Sequence, residues 1–236
     1  MADTGTQNPL QYITDQLAEL RAKGVAPRLR VLEGEQKTLC TFDGREVINL
    51  ASNNYLGLTT HKALRRAALE AVRKYGAGAG AVRTIAGTMK LHMELEEQIA
   101  RFKDVEACVV FQSGFTANAG TVSAVLGKDD LIVSDELNHA SIIDGARLSK
   151  ATIKVFKHKD VKDCERILQE TAAWPGHKLI ITDGVFSMDG DIAPLPQLCD
   201  LAEKYHCITM VDDAHASGVL GRGGRRSEER RVGKEC

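Results

Sequence analysis

The chain has 236 residues, 43% of them hydrophobic and 27% charged, and a formal net charge of −1. That balance suits a folded globular protein rather than a disordered one, and the near-zero charge gives no electrostatic reason to expect a nucleic acid or an anionic membrane as partner. No apolar run reaches the length of a membrane span and Met1–Gly5 has no secretory pattern, so a cytoplasmic protein is expected. The six cysteines form no C-x-x-C pair and support neither a metal site nor a disulfide framework.

Residues 8–23 place Leu10, Ile13, Leu17 and Leu20 at helical spacing, with Gly24 positioned to close the helix. Residues 31–51 alternate apolar and polar around Asp43-Gly44, which predicts a β-hairpin. Asn53-Asn54-Tyr55-Leu56-Gly57-Leu58 reads as a loop whose asparagines bond local backbone. A helix over Leu64–Tyr75 follows, ended by the Gly76–Gly80 run. That run is not a dinucleotide fingerprint, because Ala81 breaks the spacing and a helix precedes it. Leu91, Leu95, Ile99 and Phe102 mark another helix. Beyond it, strand candidates at Ala107–Phe111, Leu131–Val133, Thr152–Phe156, Leu179–Thr182 and Ile208–Val211 alternate with helices near 117–125, 140–149, 160–172 and 195–206. Such alternation predicts an α/β domain with a mostly parallel sheet between helices. The expected organisation is an N-terminal arm and hairpin over 1–60, one large domain over 61–225, and a charged tail over 226–236. That tail lacks apolar periodicity, resembles an in-frame sequencing adapter and is read as non-native.

Ligands of open α/β sheets bind at the C-terminal ends of the strands, and four loops there carry polar residues. After Ile208–Val211 come Asp212, Asp213 and His215, either a site or a polar turn. After Ala107–Phe111, Ser113-Gly114-Phe115-Thr116 opens a helix, as an anion cradle or as a simple turn capped by Thr116. His139 precedes the helix at 140–149, as a structural histidine or as a stacking and proton-moving one. Ser187 offers a hydroxyl between Gly184 and Gly190. Together these loops supply an anion cradle, a ring clamp, a hydroxyl and an Asp/His pair. Pyridoxal 5′-phosphate (PLP) requires that set, including a carboxylate that keeps its pyridine nitrogen protonated.

The chain resembles the α-oxoamine synthases, fold-type I PLP enzymes (aspartate aminotransferase-like) that condense an amino acid with an acyl-CoA. The resemblance rests on Asn53–Leu58, Ser113–Asn118, Asn138–Gly145, Asp183–Gly190 and Val211–His215, in that order. It implies that Gly114 and Phe115 present amides to the cofactor phosphate, and that His139 stacks on its ring, helps catalysis and helps hold the substrate carboxylate. It further implies that Ser187 and His215 bond the phenolic oxygen, that Asp212 pairs with the pyridine nitrogen, and that Asn53 contacts the amino-acid carboxylate. Arg28 or Arg30 is the expected arginine of the arm. Within the family, the wording at 138–145 and 183–190 looks most like glycine C-acetyltransferases, implying glycine and acetyl-CoA as substrates. The alternative is 8-amino-7-oxononanoate synthase, which uses alanine and a pimeloyl thioester; an alternative of another class is a noncatalytic regulatory partner on the same scaffold. The family implies a homodimer and a Schiff-base lysine downstream of His215. The one lysine there is Lys234, inside the adapter-like tail, so this chain is expected to be an inactive, truncated part of an enzyme, its large domain incomplete.

Overall fold

The computed structural model describes residues 8–225, and the chain divides into two compact units between Lys74 and Tyr75. The tail at 226–236, with Lys234, lies outside the described residues.

In the first unit, helix α1 (Gln11–Ala22) carries the expected apolar stripe and ends at Gly24. Gly24 N donates to Arg21 O and Val25 N to Leu20 O, each at 3.0 Å, which satisfies carbonyls that the helix end leaves open. Strands β1 (Leu39–Phe42) and β2 (Arg45–Ile48) form the expected hairpin, with Phe42 opposite Arg45. Asp43 and Gly44 both take positive φ, 50° and 75°. A two-residue turn of that kind matches the right-handed twist of the strands it joins, and Asp-Gly is a favoured pair for it. The Asn53–Leu58 loop is stapled by Asn54, whose Nδ2 donates to Thr59 Oγ1 at 2.8 Å while its Oδ1 accepts from Thr59 N at 3.2 Å. Helix α2 (Lys62–Tyr75) follows.

The second unit contains α3 (Lys90–Lys103), α4 (Gly114–Val125), β3 (Leu131–Asp135), α5 (Ala140–Ser149) and β4 (Thr152–Phe156). It continues with α6 (Val161–Glu170), β5 (Lys178–Asp183), α7 (Leu195–Tyr205) and β6 (Ile208–Asp212). Among the described residues its sheet has the order β4-β3-β5-β6, every pair parallel. Side chains alternate across it as strand geometry dictates. Leu131, Val133 and Ile180 enter one core with Cys164, Ile167 and Leu168 of α6 and Leu198, Leu201 and Ala202 of α7. Ile132, Leu179 and Ile181 enter the other with Val122 of α4 and Ile142 and Ala146 of α5. Every residue of β3 and β5 is buried. Strands apolar on both faces are what a parallel sheet covered on both sides requires.

One expected strand is not formed. Residues 107–111 have no ladder partner among the described residues, and Val109 is 67% exposed. The apolar run has a strand's composition, but a strand needs a neighbouring strand for its backbone groups. Here Val110 N donates instead to the carboxylate of Glu96 on α3, at 2.9 Å. That carboxylate also pairs with Arg83, and these bonds hold its pKa down to about 2. The helix expected from 117 begins three residues earlier, at Gly114.

The order of the sheet contains a reversal. The chain leaves β3 outward to β4 through α5, then crosses back over β3 to β5 through α6. Right-handed crossovers in opposite directions put α5 and α6 on opposite faces, so the loops after β3 and β5 diverge and leave a crevice between them. Asn138 ties the loop after β3 to the end of β5: its Nδ2 donates to Ile181 O and its Oδ1 accepts from Asp183 N, both at 2.9 Å.

Helices α4 and α5 approach closely at Gly145. A Cβ added there would stand 2.8 Å from Asn118 O and 3.2 Å from Ala119 Cα. Alanine favours a helix over glycine by about 1 kcal/mol, yet Gly145→Ala is expected to destabilise the fold by about 1–3 kcal/mol, because it wedges two packed helices apart. The urea midpoint followed by circular dichroism measures this; an unchanged or raised midpoint would show that the contact gives way freely.

Candidate functional site

Three neighbouring strands end in aspartate: β3 in Asp135, β5 in Asp183 and β6 in Asp212. Asp183 and Asp212 are register partners across the parallel pair, so two carboxyl groups stand side by side at the C-terminal edge. The Asp212 carboxylate accepts from Asn118 Nδ2 at 2.8 Å and from Ala214 N at 3.0 Å. Both donors are neutral amides, which fix its direction without cancelling its charge.

Asn118 lies one turn into α4, 4% exposed, and also donates to Ser141 Oγ at 2.9 Å. Ser141 Oγ lies 2.6 Å from His139 Nδ1, which accepts in addition from Ser141 N at 3.2 Å. Since Nδ1 accepts from the Ser141 amide and so carries no proton of its own, the Ser141 hydroxyl proton is assigned to it. That assignment puts the ring proton of the neutral histidine on Nε2. A single hydrogen-bonded chain thus runs from Asp212 through Asn118 and Ser141 to His139. His139 also caps α5, and its ring is held while the residue remains exposed.

The backbone N–H of His139 donates to Asp183 Oδ2 at 2.7 Å. Asp183 is 4% exposed. Burial pushes its pKa up to about 6, and the neighbouring Asp212 adds to the rise, while the His139 amide and the nearby His139 and His215 rings oppose it. His215 lies near enough to Asp183 for its ring to act on that carboxyl group. Ser187 lies with His139, Asp183 and Phe186 along a cleft of about 350 Å³.

Gly114 and Phe115 form the first turn of α4, one turn before Asn118. The cap is Ser113 rather than Thr116: Ser113 Oγ accepts from Thr116 N at 3.2 Å, and Thr116 Oγ1 accepts from Ser113 N at 3.0 Å. The two hydroxyls reciprocate, as in a capping box. A Cβ on Gly114 would meet nothing within 4 Å, so space over this helix end is open. In the first unit, Asn53 is exposed and accepts from the Tyr55 hydroxyl at 3.3 Å. Arg30 and Arg28 of the same unit both pair with Asp43, at 3.2 and 3.8 Å. No membrane-crossing helix, long and apolar enough, occurs among the described residues.

Asp183, Asn118 and Ser141 lie inside the motifs quoted from the sequence, but the sequence assigns them no role. Asp183 carried a usable signal, since it ends a buried apolar strand just as Asp212 does. Asn118 and Ser141 carried none, because their partners lie on other elements.

Comparison with known proteins gives the context. A family model described as aminotransferase class I and II matches residues 45–232. The chain is 58% identical over 220 residues to an 8-amino-7-oxononanoate synthase of Thermoanaerobacter pseudethanolicus, covering 93% of this chain and 56% of that protein. It is 58% identical over 216 residues to the same-named protein of Alkaliphilus metalliredigens, covering 92% and 55%. The chain therefore spans about half the length of the curated relatives it matches. A solved serine palmitoyltransferase of S. paucimobilis, with a bound PLP–myriocin aldimine, superposes with a TM-score of 0.86 at 32% identity, covering 94% of this chain and 56% of that one. The fold is that of the fold-type I PLP-dependent transferases, with the parallel sheet flanked by helices. The relatives' shared name corrects the expectation of a glycine C-acetyltransferase. The motifs behind that expectation, 138–145 and 183–190, form the carboxylate and imidazole framework at the strand ends. A framework serving one cofactor does not distinguish one acyl donor from another. On the match over residues 45–232 and on these relatives, the chain belongs to the aminotransferase class I and II family and within it is α-oxoamine synthase-like.

Proposed function

We propose that the protein is a PLP-dependent 8-amino-7-oxononanoate synthase, which condenses alanine with a pimeloyl thioester and works as a homodimer. The observation that carries the cofactor assignment is the Asp212 carboxylate, fixed by neutral amides at the end of a parallel strand with His139 and His215 nearby. The choice of acyl donor rests on the relatives at 58% identity.

When bound, PLP supplies an electron sink for the negative charge that develops at the amino acid's Cα. The Asp212 carboxylate serves a protonated ring nitrogen, and Asn118 keeps it pointed there. Gly114 and Phe115, at the open N-terminus of α4, offer amides to a phosphate. His139 presents a ring whose Nδ1 is engaged by Ser141, so stacking and donation from Nε2 are its contributions. Ser187 and His215 serve the phenolic oxygen, and Asn53 serves the substrate carboxylate. Up to Arg225 no lysine follows His215, and Lys234 stands in the charged tail, so the chain by itself is read as a noncovalent cofactor binder without turnover.

The first test uses the full-length protein, scanned for a PLP absorbance band while thiol release is followed. A band with thiol release from alanine plus a pimeloyl thioester is expected. A band with release from other pairs alone would overturn the substrate assignment, and no band would leave a noncatalytic protein. Asp212→Asn is expected to weaken PLP binding by about 2–5 kcal/mol, measured by fluorescence titration, because a buried charge pair loses one member. Asp183 gives a pH prediction for the cofactor-free protein. Its folded pKa of about 6 exceeds the unfolded value of about 3.9. It therefore contributes stability that is complete below about pH 4 and lost as pH rises through about 6. Asp183→Asn should match the parent near pH 4 and exceed it by about 2–3 kcal/mol near pH 8. Denaturant midpoints at the two pH values check this, and a constant difference between the proteins would refute it.

A further inference from the structure

The loop between β5 and α7 carries Ser187 and folds on itself. Phe186 N donates to Asp191 O at 2.9 Å, Gly190 N to Phe186 O at 2.8 Å, and Val185 bridges Ile192. Those bonds shape the loop without attaching it to the strands on its β3–β4 side. His158, in the segment after β4, makes that attachment. Its Nδ1 is 3.0 Å from Asp135 Oδ1 at the end of β3, and its Nε2 is 3.1 Å from Asp191 Oδ2 in the loop. The ring meets that of Phe186 edge-on, with centroids 4.4 Å apart and planes at 88°. Phe186 is 2% exposed and immediately precedes Ser187.

Hydrogen-bond arithmetic decides the state of this histidine. A neutral imidazole has one N–H, and ionised carboxylates only accept. Both ring nitrogens face carboxylate oxygens, so the full set of bonds requires the imidazolium. Asp135 is independently anchored, accepting from Leu137 N and Lys159 N at 2.9 Å each. The other charged groups around the ring are Glu136, which accepts from His158 N at 2.9 Å, and Lys159, whose Nζ is 3.3 Å from Asp191. Burial opposes a charged ring here, but the bonds and charges of Asp135 and Asp191 outweigh it and leave the His158 pKa above its ordinary value.

We propose that His158 is a positioning residue for Ser187: as an imidazolium it bolts the 184–194 loop to the end of β3, and on losing a proton it releases one carboxylate and loosens that loop. Because the folded pKa is raised, the clamp is complete below the unfolded value near 6.5 and is lost as pH rises through the folded value. The proposal rests on the functional reading only for the meaning of Ser187. The loop can be measured without cofactor, so the two readings fail separately.

The test uses the full chain, isotope-labelled and cofactor-free. Histidine ring nitrogens are titrated by NMR from pH 5.5 to 9, and amide exchange of residues 184–194 is expressed as protection factors, which removes the intrinsic pH dependence of exchange. Both His158 nitrogens should carry protons at pH 6. Protection of the Phe186 and Gly190 amides should fall about tenfold or more as the ring titrates, the equilibrium worth of one charge-assisted hydrogen bond. Asp191→Asn keeps an acceptor oxygen and removes a charge, so it should move the step to lower pH. His158→Gln should leave low protection and no step at any pH; if that variant does not fold, Asp191→Asn decides alone. A single ring proton on His158 at pH 6, protection without a step, or a step unmoved by Asp191→Asn would each overturn the proposal.

Discussion

Carboxylates at the C-terminal edge of a buried parallel sheet impose the constraint on which this structure turns. A strand apolar on both faces delivers its last residue to a place where a charge is partly stripped of water, and each such charge then needs partners. Asp135, Asp183 and Asp212 occupy equivalent ends of three adjacent strands, and their surroundings give them different work. Asp135, 2% exposed, takes two amides and an imidazole and becomes an anchor. Asp183 takes one amide beside a like charge and holds its proton to about pH 6. Asp212 takes two neutral amides, which fix its direction.

The partners are delivered by topology. Reversal of the chain direction at β3 sends α5 and α6 to opposite faces and opens the crevice over β3 and β5. On one face, the close approach at Gly145 brings α4 near enough to α5 for Asn118 to reach Ser141, and from the same position it reaches Asp212. Packing of two helices therefore sets the direction of a carboxylate on a strand, and the imidazole of His139 is oriented by the same chain of bonds. A packing change at a glycine with no chemistry of its own would be felt at both ends of that chain.

The substrate correction and the missing strand share an origin. In each case a local pattern was present and sufficient for its own level. Residues 107–111 have a strand's composition, but forming a strand depends on a neighbour that composition does not supply. The motifs around His139 and Ser187 carry the resemblance to the family, but the choice of acyl donor depends on residues that touch the acyl chain. Two octapeptides do not include such residues.

Periodicity by itself was enough to assign much of this protein. The alternation of strands with helices, the helix at 140–149 and the Asp43-Gly44 turn were all legible, because local composition, side-chain period and turn chemistry act between neighbouring residues. The positions of Asp212, His139, Ser187 and His215 after apolar strands could be read in the same local way, while the roles expected of them came from the resemblance. What only the tertiary structure decided is who bonds to whom. Asn118 and Asp212 are 94 residues apart, and His139 and Asp183 are 44 apart. No local period relates such positions, so the roles of Asn118, Ser141, Asp183 and His158 emerge only when the packed sheet and helices bring their polar atoms within hydrogen-bonding distance.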